Sequence, residues 1–224
     1  MIQMVSVIIP VYNSSKTIIR AIDSVLNQTF NELEVIVVDD ASTDDTLNIL
    51  HSYDDEQRVR VFHINHIGCV GAYIYGIKKA KYNYIMMLDS DDEYRRNYVM
   101  TMVDLIKKHD VDSVVVAYDV INEVAGESIC NSLNSGRYST LKLNNICNKA
   151  FSKQFDIIPV RFNRIYKKEI IMSFINKLNV NARQREDNIF NYLYMKYSYS
   201  VYVDNEVNLY KYYVNYNSVS NNYN

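Results

Sequence analysis

An abrupt change from apolar to acidic residues stands late in the first half of the chain. The apolar run 84–88 is followed at once by Asp89-Ser90-Asp91-Asp92-Glu93, which places four acids within five residues. Carboxylates this close repel one another, by roughly 4 kcal/mol for a pair about 4 Å apart in an effective dielectric near 20, so something must offset their charge. Hard oxygen ligands suit Mg²⁺ or Mn²⁺. The pattern indicates either a divalent metal site or a solvated acidic turn that caps the next helix.

Two earlier apolar runs also end in polar clusters. Residues 5–10 lead into Tyr12 and Asn13, and residues 33–38 lead into Asp39-Asp40-Ala41-Ser42. Apolar runs without alternation are typical of strands buried on both faces of a parallel sheet, and such sheets bind ligands at the carboxyl ends of their strands. We therefore expect the three clusters to converge on one edge. A carboxylate such as Asp40 can accept hydrogen bonds from the N–H groups of a nucleobase there.

Helical segments separate these strands. The first half alternates predicted strands at 5–10, 33–38, 59–64, 84–88 and 113–118 with predicted helices at 16–28, up to Leu50, at 68–81 and at 97–109. Strands and helices alternating in units of about 25 to 30 residues indicate right-handed βαβ crossovers. The sequence therefore predicts an α/β fold with a mostly parallel sheet.

The pattern weakens after Asp119. We predict loop-like sequence to about residue 140, helices at 141–152, 168–174 and 186–197, strands at 162–166, 201–203 and 207–212, and a fraying tail at 215–224. A chain of 224 residues is long enough for one core and does not require two. We therefore expect residues 1–224 to form a single domain.

Composition narrows the class of function. The net charge of −2, without a basic block, argues against nucleic acid as a partner. Three widely spaced cysteines match neither a disulfide framework nor a zinc site and indicate a reducing compartment. No apolar run reaches the ~18 residues needed to span a bilayer. We expect a cytoplasmic protein with at most peripheral membrane contact, and we expect the four scattered histidines to be surface residues rather than ligands.

Four motifs, in order, resemble the family 2 glycosyltransferases of the GT-A fold. They are the runs 6–13, 21–30, 37–44 and 88–92, and the resemblance covers residues 4 to 118. It implies a Rossmann-like α/β/α sandwich with a mostly parallel central sheet and an irregular acceptor-side C-terminal half. Residues 1–118 would bind the nucleotide-sugar and residues 119–224 the acceptor.

The resemblance also implies residue roles. The acid matching Asp40 reads the uracil of a UDP-sugar, Asp89 lies near the ribose and the metal, and Asp91 is the expected ligand of Mn²⁺ or Mg²⁺. The full set of implied donor-binding residues is Pro10, Tyr12, Asn13, Asp39, Asp40, Ser42, Asp89 and Ser90. The metal would neutralise charge on the departing nucleoside diphosphate.

An acidic pair in the second half resembles the family's catalytic residues. Asp187 is implied as the base that removes the acceptor hydroxyl proton, with Glu186 in support. The alternative is ordinary helix chemistry, since acids are favoured in a first turn. The implied reaction is an inverting transfer to a glycan or lipid-linked saccharide acceptor, in bacterial surface polysaccharide or glycolipid synthesis.

One departure from the family pattern bears on activity. Members commonly carry Ala-Arg-Asn-x-Gly-Ile before the Asp-x-Asp strand, where this chain reads Ala72-Tyr73-Ile74-Tyr75-Gly76-Ile77. A basic group that could approach the diphosphate is therefore missing. Lys78, Lys79 or an arginine of the second half are candidates to replace it. The alternative function is a non-catalytic or degenerate nucleotide-sugar-binding subunit of a glycosyltransferase complex.

Overall fold

The structure, a computed structural model, describes residues 4–122, 126–130, 133–139, 160–179 and 186–214. Its strands are β1 Val5–Val11, β2 Leu33–Asp39, β3 Val59–His63, β4 Tyr84–Met87, β5 Glu93–Tyr94, β6 Ser113–Val116, β7 Tyr118–Ile121, β8 Gly126–Ile129, β9 Gly136–Ser139, β10 Arg164–Lys167, β11 Ser200–Asp204 and β12 Tyr210–Tyr213. Its α-helices are α1 Ile18–Leu26, α2 Thr46–Leu50, α3 Gly68–Lys79, α4 Tyr98–His109, α5 Lys168–Phe174 and α6 Glu186–Tyr197.

The central sheet has eight strands within the described residues, in the order β3-β2-β1-β4-β10-β6-β11-β9. Strands β3, β2, β1, β4, β6 and β11 run parallel to one another, whereas β10 and β9 run antiparallel. The predicted α/β fold with a mostly parallel sheet is confirmed. Because β1, β2 and β4 are parallel neighbours, their carboxyl ends lie on one edge.

Two apolar layers cover the sheet. Alternate residues of β1 face opposite ways, so Val7 and Ile9 pack with α1 and α4, while Ile8 packs with α3, α5 and α6. Helix α3 lies so close to β1 that a Cβ at Gly76 would stand 2.5 Å from the Ile8 Cγ2 atom. This α/β/α arrangement holds α3 firmly against the strands that carry the acidic residues.

A second, smaller sheet corrects the prediction for the segment after Asp119. Strands β5-β12-β7-β8 form a four-stranded sheet, and β9 joins the edge of the central sheet. The loop predicted from 119 to about 140 was therefore wrong where β7, β8 and β9 occur. These strands have four residues each and no apolar run, since β8 reads Gly-Glu-Ser-Ile and β9 reads Gly-Arg-Tyr-Ser.

Two predicted features, the helix at 141–152 and the tail at 215–224, lie outside the described residues. The strand expected at 162–166 is present as β10, shifted toward Lys167. Over the part of the chain that the structure describes, no helix is both long enough and apolar enough to cross a bilayer.

Candidate active site

The loops that follow β1 and β2 are locked together by hydrogen bonds. The backbone N–H of Asn13 donates to Ser42 Oγ at 2.9 Å, and Asn13 Oδ1 accepts from the Thr43 N–H at 2.7 Å. Asn13 has φ 50° and Ala41 has φ 62°, so both loops turn through the left-handed region, which asparagine tolerates well. Asn13 and Ser42, both predicted to bind the donor, thus lie side by side, and they shape the loops as well as facing any ligand.

Asp40 lies at the end of β2 as predicted, and its carboxylate is bound to the start of α3. The N–H of Ile67 donates to its Oδ1 at 2.7 Å and the N–H of Gly68 to its Oδ2 at 2.9 Å. A helix N-terminus favours a negative charge in this position. Asp40 is only 3% exposed, so the predicted contact with uracil requires access through the loops beside it.

Two histidines contact the aspartates at this edge of the sheet. The sequence gives no signal for these contacts. His66 Nδ1 lies 3.0 Å from Asp40 Oδ2, and His63 Nδ1 lies 2.5 Å from Asp39 Oδ2. The half-exposed ring of Tyr12 tilts against the His66 ring, with 4.9 Å between the ring centroids. The residues from β1, β2 and the loop before α3 therefore form an aromatic and acidic border of the kind that can hold a nucleobase.

The acidic turn after β4 is tied to both sides of the sheet. Tyr73 of α3 donates its hydroxyl hydrogen to Asp89 Oδ1 at 2.7 Å, and the Ser90 hydroxyl lies 2.9 Å from the Ser14 hydroxyl. Arg20 of α1 donates to the carbonyl oxygen of Asp91. Asp89, Ser90 and Asp91 remain partly exposed. The turn therefore joins the β1 loop, as convergence of the strand ends predicts.

Asp92 has a structural position and does not cap the next helix. It is fully buried and accepts hydrogen bonds from the Tyr210 hydroxyl at 2.5 Å and from the Tyr213 N–H at 2.9 Å. Burial, together with the charges of Asp89 and Asp91, raises the pKa of Asp92 well above its usual range, although the Tyr210 hydrogen bond opposes the shift. The interpretation as a solvated capping turn therefore does not describe this segment.

Asp89 and Asp91 are the partly exposed acids of this turn and the candidate ligands of a metal ion. Among the described residues, no group of three or more His, Cys, Asp or Glu side chains is arranged to bind one. The partly exposed carboxyls of Asp89 and Asp91 nevertheless place negative charge in one turn, and after burial their charges contribute to the raised pKa of Asp92. Such a site fits a divalent cation that takes its remaining oxygen ligands from a bound diphosphate and water.

Asp187 joins this region from the second half of the chain. It lies in the first turn of α6, and its Oδ1 forms an ion pair with Arg161 Nη1 at 2.6 Å. Its side chain is 27% exposed, yet the protein around it removes enough water that burial raises its pKa to about 6. The Arg161 charge opposes this rise, and the charges of Asp89 and Glu186 add to it. A carboxyl with this pKa can accept a proton near neutral pH.

Arg161 connects Asp187 with the acidic turn, and no sequence pattern singles it out. Its guanidinium carbon lies 4.3 Å from the centre of the Tyr73 ring, the same tyrosine that binds Asp89. Lys78 and Lys79, two candidates for the missing basic group, are exposed in the last turn of α3, at the opposite end from Asp40. Among the described candidates, it is an arginine of the second half, Arg161, that lies at the site.

A family model described as "Glycosyl transferase family 2" matches residues 6–172 of the chain. Relatives include bacterial glycosyltransferases from Rickettsia species and Streptococcus pneumoniae, which are 35% to 40% identical over the aligned segments. The chain covers only 19% to 44% of the lengths of these relatives.

A longer match is the Escherichia coli protein named UDP-Glc:alpha-D-GlcNAc-diphosphoundecaprenol beta-1,3-glucosyltransferase WfaP. It is 27% identical over 201 residues, which are 89% of this chain and 80% of WfaP.

Solved structures share the fold. The crystal structure of S. aureus TarS 1-349 in complex with UDP-GlcNAc has a TM-score of 0.80 at 22% identity, over 99% of this chain and 62% of that one. A mannosyltransferase from Pyrobaculum calidifontis in complex with GDP-Man and Mn²⁺ has a TM-score of 0.65 at 18% identity, over 94% of this chain and 56% of that one. These likenesses support a GT-A arrangement of the sheet and helices.

Proposed function

The chain belongs to glycosyltransferase family 2, and from that premise we propose that it is a metal-dependent, inverting transferase that moves a sugar from a UDP-sugar to a glycan acceptor. One observation carries the proposal. The acidic turn after β4 and the carboxyl of Asp187, which are far apart in sequence, meet through Arg161 and Tyr73 at the edge where β1 and β2 also end. This arrangement supports a donor-side cluster and a base that act at one place.

The donor class is supported by the similar proteins. WfaP is named for a UDP-Glc donor, and TarS was crystallised with UDP-GlcNAc. In this chain the residues that would receive the uridine are Tyr12, Asn13, Asp39, Asp40 and Ser42, with Pro10 buried beneath them. Asp89 and Ser90 would lie beside the ribose and the diphosphate.

The acceptor is proposed from the same comparison. The name of WfaP specifies a sugar on diphosphoundecaprenol, which supports a lipid-linked saccharide as the acceptor here, in bacterial surface polysaccharide or glycolipid synthesis. A lipid-linked acceptor would be met by a cytoplasmic protein in peripheral contact with the inner face of the membrane.

The proposed chemistry assigns each residue a role. Asp187 accepts the proton of the acceptor hydroxyl, and the oxygen attacks the anomeric carbon from the side opposite the diphosphate. The bond from the anomeric carbon to the diphosphate breaks, the diphosphate leaves with the electron pair, and the configuration inverts. Glu186 keeps the local field negative, which favours a basic Asp187. Mn²⁺ or Mg²⁺, held by Asp91 and Asp89, would neutralise charge on the leaving group.

A thermal-shift panel of UDP, GDP and ADP, each with Mn²⁺ or with a chelator, tests the donor site. At a concentration of 100 times Kd, a ligand stabilises by about 2.7 kcal/mol. At about 2–4 °C per kcal/mol for a protein of this size, UDP with Mn²⁺ should raise Tm by roughly 5–10 °C. Asp91→Asn should abolish the metal-dependent part, whereas Asp104→Asn, the same change at an exposed position of α4, should not. Indifference to every nucleotide would contradict the proposal.

Transfer itself separates the proposal from its alternative. Wild-type protein should release UDP from a UDP-sugar in the presence of lipid-linked saccharide acceptors. Binding of UDP without transfer or hydrolysis across a broad panel of donors and acceptors would instead support the non-catalytic nucleotide-sugar-binding subunit.

A further inference from the structure

Arg161 has hydrogen-bonding capacity that its present partners do not use. A guanidinium carries five N–H donors. Nη1 is paired with Asp187 at 2.6 Å, while Nη2 reaches the sulfur of Cys69, a weak acceptor, at 3.4 Å. The Nε atom is buried and has no hydrogen-bond partner within the described part of the chain. A buried cation with an unsatisfied donor indicates that a further acceptor belongs beside it.

The position of Arg161 indicates which kind of acceptor. Its guanidinium stacks on Tyr73, and the hydroxyl of that tyrosine holds Asp89, so one aromatic side chain separates the cation from the acidic turn. The side chain of Arg161 is 8% exposed, which keeps it at a fixed place in the site. A planar guanidinium in a fixed orientation suits bidentate binding of phosphate oxygens.

The negative charge of the site is a second reason to expect a cation that binds phosphate. Asp89, Asp91, Glu186 and Asp187 make this region strongly acidic, which would repel a diphosphate. A metal ion would offset only part of that charge. Arg20, another arginine near the turn, also has a buried Nε without a partner, but its guanidinium donates to the Asp91 carbonyl oxygen, lies 3.8 Å from the centre of the Tyr213 ring and makes no contact with Asp187 among the described residues. Arg161 is therefore the better placed group to receive a second anion.

We propose that Arg161 is a diphosphate-binding residue, which exchanges part of its ion pair with Asp187 for the phosphate oxygens of the nucleotide-sugar donor. This inference rests on the proposed function. It adds that binding of the donor and acceptance of the proton by Asp187 are coupled. At present Arg161 donates to both oxygens of Asp187, through Nη1 to Oδ1 and through its backbone N–H to Oδ2 at 3.4 Å. Phosphate oxygens that bind the unused donors of the guanidinium would weaken its ion pair with Asp187, without moving the group, and make that carboxyl more available to accept the proton of the acceptor.

The test compares UDP with UMP in calorimetric titrations with Mn²⁺, because the two ligands differ by one phosphate. Arg161→Gln should weaken UDP binding by roughly 10- to 100-fold, the usual value of a charge-assisted hydrogen bond, and should change UMP binding by less than about 3-fold. Lys78→Gln, the same loss of charge at an exposed position of α3, should change neither. Asp187→Asn removes the competing carboxylate and should leave UDP binding at least as tight as in the wild type.

A double variant covers the case in which Arg161→Gln alone does not fold because Asp187 loses its ion-pair partner. Arg161→Gln/Asp187→Asn has no unpaired charge at this position, and it should show the same selective loss of UDP binding. An unchanged ratio of UDP to UMP affinity in the double variant, or an equal loss for both ligands, would overturn the role of Arg161 while leaving the proposed function standing. Failure of the wild-type protein to bind UDP would overturn the proposed function itself, and the role of Arg161 with it.

Discussion

Asp187 is a carboxyl that changes its charge close to neutral pH. Burial raises its pKa to about 6 from the usual 3.8, against the opposing charge of Arg161. A base must be unprotonated to accept a proton, so it works above its pKa and fails below it. We therefore predict that kcat/KM rises about tenfold per pH unit below pH 6 and levels off above it. A pH series of initial rates from about pH 4.5 to 8 measures this limb.

Two variants check that the acidic limb belongs to Asp187. Asp187→Asn should lower turnover by roughly 10² to 10⁴, the usual contribution of a positioned base, without weakening UDP binding. Asp104→Asn, at an exposed position on α4, should preserve both the rate and its pH dependence. Unchanged turnover in Asp187→Asn would show that Asp187 is not the base. Its position would then be explained by the general preference for acids in the first turn of a helix.

The sequence predicts the acids of the candidate site but not the groups around them. Asp40, Asp89 and Asp91 follow apolar runs, and the parallel sheet explains why such positions converge. Arg161 has no comparable signal, because it stands in a bend before β10 and meets Tyr73 only through the tertiary fold. His66 was expected to be a surface residue. It is exposed as expected, and it also pairs with Asp40, a contact that no spacing in the sequence encodes.

The small second sheet is joined to the acidic turn through β5 and β12. Strand β5 directly follows Asp92, and it pairs with β12, where Lys211 forms an ion pair with Glu93 at 2.9 Å. The N–H of Arg95 donates to the Leu209 carbonyl oxygen at 2.8 Å, which extends the connection. The turn is therefore held between the central sheet on one side and β12 on the other.

Tyr210→Phe tests this support. The change removes the hydroxyl that donates to the buried carboxyl of Asp92, while the ring can still stack on Phe162. We predict a loss of about 1–3 kcal/mol in the free energy of unfolding, or roughly 2–12 °C in Tm. Differential scanning calorimetry measures it. Tyr199→Phe, at a side chain that is 85% exposed, is the matched control and should cost nothing measurable. Equal Tm values for both variants would show that β12 does not anchor the turn through this bond.

Most elements of the first half were predictable because β1, β2, β4 and β6 are largely apolar runs between helical stripes and β3 is rich in β-branched and aromatic residues, whereas the two-residue β5 has no such signal. Strands β7, β8 and β9 were not, since their sequences have neither an apolar run nor strict alternation. What makes them strands is the partner beside them: Tyr118 pairs with Ile129, and Val203 pairs with Gly136. Pairing of this kind depends on tertiary context more than on intrinsic preference, so a single sequence does not reveal it.

At the scale of the whole molecule, the two halves of the sequence are not two halves of the structure. Strand β10, from the second half, lies between β4 and β6, both from the first, and pairs with each of them. Ile165 at its centre is fully buried between Met86 and Val114. We therefore propose that residues 1–224 form one domain, in which the division at residue 118 separates ligand-binding roles and not folding units.

A truncation tests this proposal, because a fragment of residues 1–118 lacks β10 and would leave the apolar edges of β4 and β6 open to water and to other chains. We predict that the fragment is unfolded or aggregated. The full chain should unfold in one cooperative step, with coincident urea transitions by far-UV circular dichroism and by tyrosine fluorescence, the available probe in a chain without tryptophan. A soluble fragment with its own cooperative transition and metal-dependent UDP binding would show that the first half is an independent nucleotide-binding unit. Two separate transitions in the full chain would show the same, because β10 could then leave the sheet without unfolding the strands on either side.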